Sequence, residues 1–232
     1  MLTLVIGNKN YSSWSLRPWV LMQVLGIPFT ERLIPFGEPG SAETFAALSP
    51  TARVPCLHDG DDRVWDSLAI VEYLAERYPG VWPADPQARA FARSASAEMH
   101  SGFFALREYC SMSCGQRVTL REIAPSLTRD LDRLQTLWRE GLARFGGTFL
   151  AGPAFTAVDA FFAPVAFRVQ TYRLALDQTS MGYVARLLDL PAMKAWYASA
   201  LQETWREPAH ERAVSDGARE LIDLRQAPEA AR

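Results

Sequence analysis

Ser12, Ser13 and Ser15 stand in the stretch "NYSSWSLRPW" (10–19), interleaved with Trp14 and followed by Arg17, Pro18 and Trp19. Hydroxyls clustered at the mouth of an apolar helical run do one of two things. They cap the helix by accepting from its first free N–H groups. Alternatively, they sit beside an anion drawn by those same N–H groups and the positive end of the macrodipole. A hydroxyl beside a bound thiolate donates a hydrogen bond that favours the charged sulfur, so the thiol it activates belongs to a ligand. Proline is harmless only in the first helical turn, where its missing N–H had no partner. The spacing therefore predicts Ser15 as N-cap with Pro18 third in the helix, and leaves Ser12 and Ser13 in the loop ahead of it.

Two further clusters carry possible chemistry. In "TARVPCL" (51–57), Val54-Pro55 opens a predicted strand next to Arg53. An X-Pro bond is cis in only about 5–6% of folded cases, so these residues alone give a trans bond in an edge strand. A cis bond would turn the Val54 N–H and C=O outward, where an extended peptide-like ligand could pair with them. In "VWDSLAIVEYL" (64–74), Asp66 and Ser67 stand between a strand and a helix. There they either cap the helix or read a zwitterion, with Ser67 and the helix terminus holding a carboxylate and Asp66 an ammonium.

The elements that must position these clusters follow from periodicity. Leu2 to Gly7 reads as a strand, Leu16 to Leu25 as a helix stopped by Gly26, and Phe29 to Ile34 as a strand. A short helix ends near Ser49-Pro50, two strands flank Asp59-Gly60-Asp61, and Ser67 to Tyr78 is helical. A break near 79–86 then separates a domain spanning 1–80 from one spanning 86–232. Beyond it only helical periods are read (about 86–112, 119–145, 157–175, 180–188 and 191–203). From about Arg206 the chain reads as a polar, partly ordered tail.

Composition excludes several classes. The chain has 232 residues, 49% hydrophobic and 22% charged, with formal net charge -2 and pI near 6.0. No basic stripe points to nucleic acid, and no apolar run approaches the ~18 residues of a membrane span. Cys110 and Cys114, four apart on a predicted helix, could suggest a metal pair, but only His58, His100 and His210 exist to complete a site and none sits at a ligand spacing, so no metal is expected. No Cys-x-x-Cys stands at the first helix, which disfavours disulfide chemistry. Cys56 reads as a buried strand residue. Three unpaired cysteines and the direct "LTLVIG" opening lead us to expect a reducing cytoplasm.

Serines opening the first helix, a Val-Pro at the third strand, an Asp-Ser opening the third helix and a helical second half together resemble the glutathione transferase superfamily. The resemblance runs through about residue 205 and includes "FLAGPAFTAVDAFF" (149–162), similar to that superfamily's capping motif, with Thr156 and Asp159 reciprocating. It implies a thioredoxin-like α/β N-terminal domain and an all-α C-terminal domain. Serine-type members place the catalytic serine fourteen residues before the glycine ending the first helix, which from Gly26 lands on Ser12, with Ser13 as second choice.

The same resemblance implies glutathione as co-substrate, with Val54 pairing its cysteinyl backbone ahead of a cis Pro55. Asp66 and Ser67 would hold the γ-glutamyl end, with Arg53 and Trp14 nearby. The helix "EMHSGFFALREYCSM" (98–112) would lie over the sulfur, offering Ser101, Phe103 and Arg107 to a hydrophobic electrophile. The opening is nearest the zeta type, which includes maleylacetoacetate isomerases beginning "SSCSWRVR". Trp14, Leu16 and Pro18-Trp19 depart from that form, which removes a second arginine and points to a bacterial-type branch. The expected activity is transfer of glutathione to an electrophile by a cytoplasmic homodimer. Glutathione-dependent isomerisation, peroxide reduction and a non-catalytic scaffold remain open alternatives.

Overall fold

The computed structural model describes residues 1–225. The first half runs β1 (Leu2–Ile6), α1 (Ser13–Val24), β2 (Phe29–Leu33), α2 (Ser41–Leu48), β3 (Cys56–Asp59), β4 (Asp62–Trp65) and α3 (Ser67–Ala75). The four strands form one sheet in the order β2-β1-β3-β4. β1 runs parallel to β2, pairing Leu2 with Phe29, and antiparallel to β3, pairing Val5 with Cys56. β1 is central, and Leu4, Val5 and Ile6 are all fully buried, as expected of a strand covered on both faces. β2 lies at the edge and exposes Thr30, Glu31 and Arg32, charges that discourage further strand pairing.

α1 departs from its predicted start. It begins at Ser13 with Ser12 as N-cap, so Pro18 is the sixth helical residue rather than the third. An interior proline removes one helical hydrogen bond and costs about 3 kcal/mol. The reason it is tolerated is packing: Leu16, Trp19, Val20, Leu21 and Met22 are all buried, and the helix is wedged between the sheet and the second half.

The second half contains α4 (Pro86–Ser101), α5 (Phe104–Tyr109), β5 (Gln116–Leu120), α6 (Pro125–Phe145), α7 (Ala157–Tyr172), α8 (Gln178–Asp189), α9 (Pro191–Gln202), α10 (Pro208–Ser215) and β6 (Ala218–Asp223). α7 is its axis, with fifteen of sixteen residues buried. Its N-terminus carries the expected capping box, in which Asp159 Oδ2 accepts from the Thr156 N–H at 2.9 Å. Asp159 Oδ1 also accepts from Leu150 N and the Tyr183 hydroxyl at 3.0 and 2.8 Å. Burial nevertheless pushes its pKa up to about 6.

Three expectations for this half are corrected. The helix read over 86–112 breaks at Gly102 and at Phe103, which takes a left-handed backbone (φ 55°). The segment read as helix from 119 starts instead with strand β5, which pairs antiparallel with β6, Val118 opposite Leu221. The stretch from Arg206 is not a loose tail through residue 225. It forms α10 and β6 and folds back on the first half; the part beyond 225 lies outside the described residues. The strands were missed because each is short, and each finds its partner about a hundred residues away. Local periodicity does not report such pairing.

Candidate functional site

All three clusters meet at one cavity of about 510 Å³. Trp14 from α1, Arg53, Val54 and Pro55 from the turn before β3, and Asp66 and Ser67 at the start of α3 all line it. Thr51 and Trp65 also line it; the sequence reading missed both, although each sits one or two residues from a residue it named. The Val54-Pro55 bond is cis. The β1–β3 ladder begins at Cys56, so Val54 lies past its end and takes no part in it. Asp66 holds a left-handed backbone (φ 73°) that a side chain rarely adopts. Its carboxylate caps α3, accepting from Leu68 N at 2.7 Å. One acceptor (Asp66), one buried hydroxyl at a helix start (Ser67), one exposed guanidinium (Arg53) and a free backbone edge fit an extended zwitterionic peptide.

Ser12 and Ser13 are both buried at the adjoining α1 mouth and are not among the residues lining the cavity. Ser12 occupies the N-cap position, yet its side chain makes no capping hydrogen bond. Instead the Ser12 hydroxyl meets the Ser15 hydroxyl at 2.7 Å, and Ser15 Oγ accepts from Gly7 N at 3.3 Å. Hydroxyl rotors reverse at little cost, so the pair can run from Ser15 to Ser12 and free the Ser12 proton.

Behind Ser67 lies a cationic group the sequence did not single out. Arg17 is buried between the rings of Trp14 and Phe161, its guanidinium carbon 4.1 and 4.8 Å from their centroids. Its Nη1 donates to Ser67 Oγ at 3.2 Å and meets His100 Nδ1 at 3.5 Å. With one Ser67 lone pair taken in this way, the hydroxyl proton is left for the cavity. Burial, then the neighbouring Arg107 and Arg168, lower the Arg17 pKa well below its ordinary value, with Asp66 opposing them. His100, edge-on to Trp14 and 3.5 Å from Asp66, is also lowered, first by burial.

The three residues suggested for an electrophile are dispersed. Ser101 is exposed and donates to Ala97 O at 2.9 Å. Phe103 is buried. Arg107 reaches the site, its guanidinium 5.0 Å from the Trp14 ring centre, but it also donates to the backbone of Gly102 and Met99. Among the described residues no group of three His, Cys, Asp or Glu could hold a metal ion, and no helix is long and apolar enough to cross a membrane.

The loop that carries Ser12 has a second side. Asn8, Lys9 and Asn10 are buried, and a buried loop must satisfy its backbone groups. The partners come from the second half, most of them from Trp196 onward. Glu203, just after α9, accepts from Lys9 N at 2.6 Å and Asn10 N at 3.0 Å. Trp196 Nε1 donates to Lys9 O at 2.8 Å, and Cys114 N donates to Asn10 O at 3.1 Å. The Tyr11 hydroxyl donates to Glu211 and accepts from Arg225 at 2.7 Å. No spacing in the sequence advertises these contacts.

A four-stranded mixed sheet of this order, with a cis proline ahead of β3 and a helical half joined along α1 and α7, defines a thioredoxin-like protein with an appended helical region. Sequence models of the Glutathione S-transferase N-terminal domain and of the Glutathione S-transferase C-terminal domain match residues 11–77 and 117–199. The chain is 28% identical over 183 residues to a zeta class glutathione S-transferase of Euphorbia esula, covering 76% of this chain and 80% of that one. It is 28% identical over 175 residues to a maleylacetoacetate isomerase of Rattus norvegicus, covering 73% and 78%. In fold it is similar to a Burkholderia glutathione transferase homologue solved with bound glutathione, at TM-score 0.62 and 23% identity over 86% of this chain and 97% of that one. The chain belongs to the glutathione S-transferase superfamily, and the two curated relatives above are named for the zeta class and for maleylacetoacetate isomerase. The chemistry of that family is glutathione-dependent transfer or isomerisation.

Proposed function

We propose that the chain is a glutathione transferase that adds the glutathione thiolate to an electrophilic carbon of a small hydrophobic molecule. The observation that carries this reading is the convergence of the α1 mouth, the cis Val54-Pro55 turn and Asp66-Ser67 on one cavity. Asp66 accepts from the γ-glutamyl ammonium, and Ser67 donates to its carboxylate with Arg17 behind it. Val54 pairs with the cysteinyl backbone, and Arg53 takes the glycyl carboxylate. Ser12, backed by Ser15 and the Gly7 N–H, donates to the sulfur while the α1 N-terminus supplies the field; Ser13 is the second choice. The thiolate then attacks the electrophile, and the leaving group departs with the displaced electron pair.

In this reading residues 1–80 bind glutathione and 86–232 shape the electrophile's side, with Trp14 and Arg107 nearest the reacting centre. The protein acts in the cytoplasm in detoxification, as a homodimer built on α3 and α4. Support for the dimer face is an apolar groove along β4 and α3 that includes Val64, the half-exposed Trp65 and Leu68. Glutathione-dependent isomerisation is the second reading, favoured by the likeness to a protein named maleylacetoacetate isomerase.

The test is titration with glutathione while following thiolate absorbance, on wild type, Ser12→Ala and Ser13→Ala. Binding with ionisation near neutral pH in wild type, and binding without ionisation in one variant, sustains the reading. Wild type that fails to bind, or binds with its thiol unshifted, overturns it and leaves a scaffold.

A further inference from the structure

The backbone of Lys9 and Asn10 lies three and two residues ahead of Ser12, buried, with its amide groups donating to the second half. Glu203 is the group that meets them. It ends α9, where the chain turns to an extended conformation (φ -67°, ψ 123°), and the turn carries its side chain inward to 5% exposure. Both carboxylate oxygens are spent on the loop, one per amide, in a two-point grip that fixes position and orientation together. From there the path to the α1 mouth is short, through Tyr11 alone, and hydrogen bonds stiffen it: Ser12 N donates to Asn8 O at 2.8 Å, and Ser12 O accepts the first α1 hydrogen bond, from Leu16 N at 3.1 Å.

We propose that Glu203 is a positioning residue for Ser12: by gripping the Lys9 and Asn10 amides from behind, it sets where the Ser12 hydroxyl stands at the α1 N-terminus. The consequence for the reaction rests on the transferase reading given above, whereas the grip itself does not. Neutralising or shortening this side chain lets the loop shift, and a hydrogen bond aimed at sulfur is lost to small displacements. Misplacement by about 1 Å can cost about 100-fold in rate.

Other groups reach the same loop but do not duplicate this role. Trp196 holds the Lys9 carbonyl rather than an amide, and Arg225 and Glu211 hold the Tyr11 side chain. The charged and titratable groups near Glu203 include Lys9 itself, paired with Glu31; Cys114 ahead of β5; Arg206, which donates to the Glu203 carbonyl at 2.8 Å; and Arg225 after β6, paired with Glu211 and Asp223. Burial raises the Glu203 pKa to about 7 against the pull of the two amides, Lys9 and Arg225. An inflection near neutral pH is therefore a readout that inert packing at this position would not produce.

The experiment uses the full-length chain as wild type, Glu203→Gln, Glu203→Ala and a remote core control, Leu187→Ala in α8. Two things are read: hydrogen exchange of the peptide covering residues 8–13, and the pKa of bound glutathione thiol with kcat and glutathione Kd. The expected result is faster exchange of the Lys9 and Asn10 amides in both Glu203 variants. The thiol pKa moves up toward its free value, kcat falls by about 10- to 100-fold, and Kd changes much less. Glu203→Gln, which keeps the shape and one acceptor, shows the smaller shift and loses the inflection near neutral pH. Leu187→Ala lowers the melting temperature without moving the thiol pKa.

Unchanged exchange at Lys9 and Asn10 in Glu203→Gln overturns the proposal, as does a wild-type thiol pKa in a variant whose loop has loosened. A thiol shift in Leu187→Ala equal to that in the Glu203 variants also overturns it. Should Glu203→Ala fail to fold, Glu203→Gln alone decides. If wild type does not bind glutathione, the transferase reading falls while the exchange data still report whether Glu203 holds the loop.

Discussion

The loop from Asn8 to Ser13 has two faces built on opposite plans. Its front, at Ser12 and Ser13, adjoins without lining a cavity walled by residues 14 to 67, each within a short motif at a helix start or a strand start. Its back meets Glu203, Trp196, Glu211 and Arg225, all from the last part of the chain. The front presents donors and acceptors with capacity to spare, such as a hydroxyl at an N-cap that caps nothing. On the back most of that capacity is spent, with the Lys9 and Asn10 amides, their carbonyls and the Tyr11 phenol matched and Asn8 Nδ2 the buried exception. A site that must bind and release a partner keeps its unfilled hydrogen bonds on one side only. The opposite side is satisfied within the protein, where an unmade bond would cost about 1–3 kcal/mol.

If this division is right, substitutions on the back act through stability and placement, and those on the front through chemistry and affinity. The largest effect is expected from Trp196→Ala on the back, where a fully buried indole packs 5.0 Å from Trp19 and donates to Lys9 O. A loss of about 3–5 kcal/mol in denaturant unfolding is expected, and a smaller loss would weaken the claim that the back carries the fold. Next comes Ser12→Ala on the front. Losing one hydrogen bond to a charged sulfur, worth about 1.5–3 kcal/mol, lowers kcat by roughly 10- to 150-fold. Stability should be nearly unchanged, so a matching fall in melting temperature would erase the contrast.

Ser67→Ala sharpens the front further by separating binding from chemistry. About tenfold weaker glutathione binding, with the bound thiol pKa unmoved, is the expected calorimetric and spectroscopic result. A pH series then probes the back. Burial raises the Glu203 pKa from 4.5 to about 7 in the folded chain. Between those values the folded state holds a proton that the unfolded state has lost, so stability falls as pH rises through this window. The slope reaches at most about 1.4 kcal/mol per pH unit and vanishes above the folded pKa. The difference between wild type and Glu203→Gln in unfolding free energy across pH 4.5 to 7 isolates this component. The smallest effect is expected at neither face: Arg139→Ala removes an exposed ion pair with Asp177, N to O 3.1 Å, and should cost under about 1 kcal/mol.

Legibility followed the same division. The strands and helices of the first half could be read from periodicity, and the Asp66-Ser67 and Val54-Pro55 motifs could be placed at the starts of their elements. Residues alone gave a trans Val54-Pro55 bond; the cis form came only with the resemblance, because the choice is made by tertiary surroundings. A rule that confines Pro18 to the first turn makes Ser15 the cap, and that rule fails when packing around a helix outweighs one missing hydrogen bond. Glu203 and Arg225 sit among polar residues of the kind that fill surfaces, and what gives them meaning is a loop about two hundred residues earlier. No local pattern encodes that. The signal that could have raised the question is "IGNKN" at 6–10: a polar run directly after the central strand, which a compact fold must bury and therefore satisfy.

The reach of those late residues bears on how such a protein comes into being. A chain leaves the ribosome N-terminus first, at about 5–20 residues per second, so the 214 residues between Tyr11 and Arg225 take roughly 10 to 40 s to appear. During that interval the sheet, α1 and the cis-proline turn can all be present while the loop bearing Ser12 lacks its backing. Backing of the loop is thus tied to synthesis of the segment from Trp196 to Arg225, and a chain that stopped before it would carry the motifs that line the cavity without the contacts behind them.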